Sequence, residues 1–379
     1  MGASSGDFLQ ADLILRKLRP EMEKAAGVIR SAAKGSRPLM LRYNNDADGM
    51  SAALAIRAAL LRTAGEPRFM LEHINASAIY EQGDALADLS LISREFEGAT
   101  PLFVLLDFGA NQESCGALEL LRKAGAQCVV IDHHPFSEAA RGLCDSLVSP
   151  WCVEGGTSHY SAGLLAGEVA KLIAPVDVAG LQLVSLIGDK STLIKRDAQP
   201  ERLVKSAMVL DFLGSGRARV SLEQCAAALA DQAKLDSLYR QALSKIADAR
   251  GAAAKQVKMK RLENGFGIAV INLGKVMRRG EFPARGTIVG AMLEELSSKE
   301  QGPLVVLGYG DDAMSFRANA AAKAAGFNAT RIIAELKSEL PNAVDAGGGH
   351  DVAASIRANE GFMKIVLDEA MRKISQIPA

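Results

Sequence analysis

PLMLRYNNDADGMSAALAIRAALLRTA, residues 38–64, decides how the rest of the chain reads. An apolar run (38–43) of strand length gives way to the polar turn Asn44-Asn45-Asp46-Ala47-Asp48-Gly49. An alanine- and leucine-rich helix is predicted over 51–64, with Gly49 supplying the freedom for a tight turn before it. Strand, polar loop and helix return at LFVLLDFG (102–109) with a helix over 113–124, and a third such strand is CVVIDHH (128–134). Apolar strands alternating with helices predict an α/β protein with a parallel sheet covered by helices on both faces. Ligands of such sheets collect beyond the carboxyl ends of the strands. Each of the three strands ends in acid: Asp46 and Asp48, then Asp107, then Asp132. Any one of these could simply cap a helix. Three at equivalent places put several carboxylates in one crevice.

Outward from this core, Phe8, Leu15, Leu18, Met22, Ala25 and Ile29 mark one face of an N-terminal helix over 8–33, stopped by Gly35 and Pro38. Further helical patterns run over 160–173, 179–187 and 198–213, and 221–253 reads as a helical connector. Beyond it come shorter strands at 257–262, 266–273 and 303–310, with helices near 326–339 and 361–375. This predicts a smaller second α/β domain.

A length of 379 residues suggests two or three domains, and 49% hydrophobic with 23% charged residues is ordinary for a chain with a packed core. Lys+Arg and Asp+Glu both number 44, which excludes a strongly basic polymer binder and an acidic disordered chain. It leaves room for a local basic groove, for which Lys190, Lys195, Arg196, Arg217, Arg219, Lys258, Lys260 and Arg261 are the candidates. Aromatics are 5% with one tryptophan, so stacking platforms are scarce. The five cysteines are odd in number and lack two-residue spacings, which argues against a disulfide framework or zinc knuckle and for a cytoplasmic protein. No apolar run approaches the roughly 18 residues of a membrane span. Asp7 and Asp12 stand where a signal peptide needs a basic end and an apolar centre.

The chemistry gathers in Asn44–Gly49, Asp107, Asp132-His133-His134 and Asp189 of the IGDK segment. Carboxylates with imidazole suit Mn²⁺ or Mg²⁺ better than a thiolate metal. Four carboxylates that close repel without bound cations, and two-metal sites hold their ions about 3.5–4 Å apart.

These four motifs, in this order, resemble the DHH phosphoesterase superfamily and within it the RecJ-like single-strand exonucleases, nearest their archaeal branch. Gly347-Gly348-Gly349-His350, followed by Ala353-Ala354, and Arg317 in SFRAN resemble the C-terminal DHH-associated domain. The match covers most of 37–357. The resemblance implies an N-terminal helix (1–36), a DHH catalytic domain (37–220), a helical connector (221–255) and a substrate-binding domain with a mixed sheet (256–379). It implies two divalent ions, Mn²⁺ first and Mg²⁺ second, that activate water. Asp46 and Asp107 would hold one; Asp48, Asp107, His133 and Asp189 the other, with Asp107 bridging. Asp132 would orient a ligand, and His134 would meet the scissile phosphate. Arg317 and the Gly347–His350 loop would bind substrate phosphate across an interdomain cleft. Asn44 stands where the family usually has His or Asp, and its amide oxygen is a weak ligand.

The implied activity is exonucleolytic release of mononucleotides from single-stranded DNA or RNA. A phosphodiesterase for short oligonucleotides, nucleoside bisphosphates or cyclic dinucleotides would use the same site. A structural RecJ relative, partnered with a GINS-like factor or a helicase in replication or repair, is the non-enzymatic alternative that Asn44 favours. Retention of the other ligands argues against it. The basic signature of the related pyrophosphatases is absent.

Overall fold

The computed structural model describes residues 12–35, 37–65, 69–77, 79–195, 199–215, 220–278 and 280–378. Asp7, Phe8, Arg196, Arg217 and Arg219, named above, lie outside the described residues. Two compact units meet between Tyr239 and Arg240. No described helix is long and apolar enough to cross a membrane.

In the first unit, α1 (Leu13–Lys34) starts at Asp12, whose side chain accepts the N–H groups of Ile14 and Leu15 at 2.8 and 3.1 Å. The strands β1 (Leu39–Asn44), β2 (Met70–Asn75), β3 (Leu102–Leu106), β4 (Gln127–Ile131) and β5 (Ser146–Val148) form one parallel sheet. Their order is β2-β1-β3-β4-β5. The chain steps outward from β1 to β2 and then returns to β3 on the other side of β1. The reversal between β1 and β3 is the topological switch point where such sheets open a crevice.

Strand periodicity sorts the core into two layers. Leu39, Leu41, Tyr43, Leu102, Val104, Leu106, Val129 and Ile131 face α1, α2 (Ala47–Ala64) and the later helices. Met40, Phe103, Leu105, Cys128 and Val130 face the layer holding α3 (Gln82–Glu95) and α4 (Cys115–Lys123). On that second face Arg42 closes a polar knot. Its guanidinium bonds Asp88, Asp84 and Asn75, while Tyr80 and His73 also reach Asp88, at 2.9 and 2.8 Å. Burial pushes the Asp88 carboxyl up, but His73 and Arg42 outweigh it and keep it below its ordinary value. The edge strands β2 and β5 had no clear sequence signal. β2 carries Glu72 and His73 in its middle, and β5 has three residues.

The remaining helices of this unit are α5 (Ala162–Ile173), α6 (Ala179–Gly188), α7 (Glu201–Gly214) and α8 (Leu222–Ala230). The segment 221–253 is not one helix. It breaks at Asp231, whose extended backbone ends α8 and whose side chain accepts from Ala233 and Lys234 at the start of α9 (Gln232–Ala254). Helix α9 runs through the boundary between the units.

The second unit has a six-stranded mixed sheet in the order β10-β11-β9-β8-β7-β6. Its strands are β6 (Lys258–Arg261), β7 (Gly267–Asn272), β8 (Leu304–Tyr309), β9 (Ala313–Ala318), β10 (Val344–His350) and β11 (Ala353–Ala358), and only β7 and β8 run parallel. Helix α10 (Arg285–Ser297) packs one face and α11 (Ala329–Glu339) with α12 (Met363–Ser375) the other. Gly347–His350 is therefore strand, not a free loop. Gly347 is pressed between strand and helix, since a Cβ there would sit 2.8 Å from Ile333 and 3.1 Å from the Ser355 carbonyl.

Candidate metal centre

Strand β1 ends at Asn44 and α2 begins at Ala47, earlier than the sequence reading placed it. The reason is Asp46, which caps α2: its Oδ1 accepts the N–H groups of Asp48 and Gly49 at 3.1 and 3.0 Å. Gly49 thus lies inside the first helical turn, and its role is close approach rather than turn geometry. A Cβ there would stand 2.6–2.8 Å from the backbone of Asn44. Gly188 and Gly214 do the same for the ends of α6 and α7, where a Cβ would meet Ala47 Cβ at 2.6 Å and Asn45 O at 2.0 Å.

This packing brings the acids together. Asp48 lies at the start of α5, its carboxylate accepting from Ala162 N (2.8 Å), Gly163 N (2.7 Å) and Ser185 Oγ (2.6 Å). Asp107 follows β3 with φ of 66° and is 1% exposed. Asp189 is the C-cap residue of α6. His133 follows β4. Its Nδ1 lies 2.7 Å from the carbonyl of Ser158, so that nitrogen donates and Nε2 is the one that could give up its proton to a cation. Nε2 sits 3.3 Å from Asp107 Oδ1 and 3.7 Å from Asp48 Oδ2, while Asp189 Oδ2 is 3.3 Å from Nδ1. Asp132 Oδ1 accepts from both the backbone and Nδ1 of His134, at 3.1 and 2.8 Å.

Two sets of three side chains can close on a cation: Asp48, His133 and Asp189, and Asp107, His133 and His134. Within each, ligand atoms lie within 4.8 Å of one another. Asp107 Oδ1 is buried without a hydrogen-bond donor. Burial, reinforced by neighbouring carboxylates, holds the Asp107 carboxyl well above its ordinary value and pushes Asp189 up to about 7. Burial lifts Asp48 as well. Burial would lower the imidazoles, but Asp107 and Asp189 hold His133 well up and Asp132 holds His134 up to about 9. Such crowding of buried oxygens around one imidazole nitrogen fits a divalent cation.

Two features depart from the sequence reading. Asn44 turns its Nδ2 toward Asp46 Oδ2 (3.1 Å) and Asp107 Oδ2 (3.2 Å), and its Oδ1 accepts from Asn45 N. It links the two acids as a donor instead of offering an oxygen. Asp211 of α7 was missed. Its Oδ1 accepts from Ala47 N at 2.7 Å, and burial together with Asp46 pushes it up to about 7. Only a lone acid in an ordinary helical pattern marked it in the sequence.

In the second unit, the sheet register sets Arg317 on β9 and His350 on β10 opposite the same residue, Ala353 of β11. Arg317 lies over the first turn of α10, where a Cβ on Gly286 would stand 2.5 Å from its Nη2. Burial lowers its pKa. Lys258, Lys260 and Arg261 are exposed along β6, and Arg261 pairs with Glu300 at 3.0 Å.

Fold and centre together define a two-unit α/β protein with a carboxylate–histidine cluster at a switch point. Residues 39–183 match the model of the DHH family, N-terminal domain. An uncharacterized protein of Methanocaldococcus jannaschii is 28% identical over 95% of the chain, which spans 54% of that protein's length. A structure described as the DHH domain of a member of a family of ribosomal proteins is 27% identical, with a TM-score of 0.81 over 97% of this chain and 93% of that one. RecJ from Thermus thermophilus in complex with Mn²⁺ shares the fold, at 16% identity and a TM-score of 0.63 over 94% of this chain and 55% of that one.

Proposed function

We propose that the chain is a metal-dependent phosphodiesterase, a RecJ-like exonuclease that shortens single-stranded DNA or RNA from an end. The observation that carries this reading is the gathering of Asp48, Asp107 and Asp189 around the one buried imidazole of His133. The likeness in fold to a RecJ solved with Mn²⁺ supports it.

Asp48, Asp107, His133 and Asp189 would hold one divalent ion, and Asp46 with Asp107 would help to hold a second. Bound there, such ions lower the pKa of water and offset charge on phosphate oxygens. The Ser158 carbonyl fixes the His133 tautomer so that Nε2 faces the acids. Asp132 holds Nδ1 of His134, leaving Nε2 for substrate. Held up by Asp132, that imidazole can steady a phosphate oxygen or pass a proton to the leaving oxygen. Arg317, a half-buried guanidinium, binds a substrate phosphate, with His350 across the intervening strand β11 as a second candidate.

Digestion of 5′- and 3′-labelled single-stranded DNA and RNA, with Mn²⁺, Mg²⁺ or chelator, tests the proposal. The expected result is metal-dependent release of mononucleotides, abolished in His133→Ala. Cleavage of dinucleotides alone would point to a short-substrate enzyme, and cleavage unaffected by chelator would refute the metal centre.

A further inference from the structure

Trp151 is the single tryptophan of the chain, and it is 42% exposed. It lies in a 3₁₀ turn, Pro150–Cys152, just past the carboxyl end of β5. That is the same edge of the sheet that carries the acids and histidines. Its indole Nε1–H donates to the carbonyl of His133 at 2.8 Å. The ring is thus tied to the backbone of the residue whose imidazole lies 3.3 Å from Asp107. The turn beneath it is held firmly. Buried Ser149 caps it, Cys152 and Val153 close it through backbone bonds, and Gly156 packs so tightly that a Cβ there would stand 1.8 Å from Pro150 O. Among the described residues no aromatic ring or cationic group lies on the indole face. The next residue after His133, His134, is also open to solvent on its side chain.

A hydrogen bond that merely props His133 needs the indole N–H but no open ring face. A large apolar ring is usually covered. Here it is fixed in place and keeps 42% of its surface open beside a polar centre. We infer that Trp151 is the platform on which a nucleobase of the substrate stacks next to the scissile phosphate. The inference rests on the nucleic-acid reading of the site and adds the part that recognises the base. Stacking tolerates every base, so it suits an enzyme that reads no sequence. Because the ring is already ordered, little side-chain freedom is lost on binding.

Trp151 reports on itself. Fluorescence of the wild-type protein is titrated in Mg²⁺ with a short phosphorothioate oligodeoxyadenylate, which resists cleavage, and with an abasic strand of equal length. The oligodeoxyadenylate is expected to quench the emission in a saturable way; the abasic strand is not. By competition binding, Trp151→Leu weakens the oligonucleotide by about tenfold or more, while Trp151→Phe, which keeps a ring and loses the N–H, restores most of the affinity. If Phe and Leu weaken it equally, the indole is a prop for His133 and the inference falls. It falls equally if normal oligonucleotide is cleaved while no quenching occurs, and the exonuclease reading then stands. Failure to bind or cleave any oligonucleotide refutes that reading itself, and this inference with it.

Discussion

The metal-free protein should lose stability as pH rises through neutrality, and a divalent ion should cancel the loss. Asp189 and Asp211 are each pushed up to about 7, by burial first and then by neighbouring acids. In the unfolded chain both revert to an ordinary carboxylate value near 4. Between about pH 4 and pH 7 the folded state therefore holds protons that the unfolded state has released. Each such proton costs about 1.4 kcal/mol of stability per pH unit of rise. Both acids feel Asp46, so one net proton is the sounder count. From about pH 5.5 to 7 that amounts to about 2 kcal/mol. His133 and His134, both held above their ordinary value, extend the same sign upward: their stabilisation is complete below about pH 6.5 and fades as pH climbs toward the folded values. Asp132 is shifted the other way and acts only in acid, below the window. For a unit of this size the loss corresponds to a melting temperature lower by roughly 4–8 °C. Thermal melts in chelator across this range, repeated with Mn²⁺, give the answer. A flat or rising profile in chelator, or an equal slope with Mn²⁺, would refute the crowded-carboxylate account.

Removing one crowded carboxyl by Asp107→Asn should raise the melting temperature in chelator, most at alkaline pH where that carboxyl would have to ionise, and remove the upward shift that Mn²⁺ produces, both read by the same thermal melts. Arg42→Met should strip Asp88 of its guanidinium on the far face of the sheet and leave the charge to Tyr80 and His73 alone, costing up to about 3–5 kcal/mol in urea denaturation. Asn44→Asp replaces a donor with an acid between Asp46 and Asp107, so it should tighten the weaker of two Mn²⁺ binding events in calorimetry. An unchanged isotherm would show that Asn44 has no bearing on that position.

The parts legible in the sequence were those whose chemistry is local. The runs ending at Asp107 and Asp132 are apolar throughout, the one before Asp46 is interrupted within its strand only by Arg42, and all are bounded by turn residues, so strand and site could be read from one segment. The edge strands were not legible, because β2 interrupts its apolar pattern with Glu72 and His73 and β5 is too short to show a period. Helix 221–253 looked continuous because Asp231, a single acid in a helical pattern, ends one helix with its extended backbone and caps the next with its side chain. The glycines before His350 suggest a loop, yet pairing with β11 makes them a strand. Asp211 and Trp151 gain their meaning from partners distant in sequence, Ala47 and His133, and no spacing announces such a contact.

The carboxylates of the centre are also the fastenings of the fold. Asp46 caps α2, Asp48 receives the first free N–H groups of α5, and Asp189 closes the end of α6. Two of these bonds place a negative group against the positive end of a helix, which offsets part of the repulsion among buried acids. A cluster of this charge can therefore be assembled before any ion arrives. The same arrangement explains the glycines at 49, 188 and 214, each of which lets a helix end approach the Asn44–Ala47 segment more closely than a side chain would permit. Position and charge are thus set by one set of contacts. A substitution that loosens a helix end at this crevice must move a ligand, and one that removes the Asp46 or Asp48 carboxylate must also loosen a helix end.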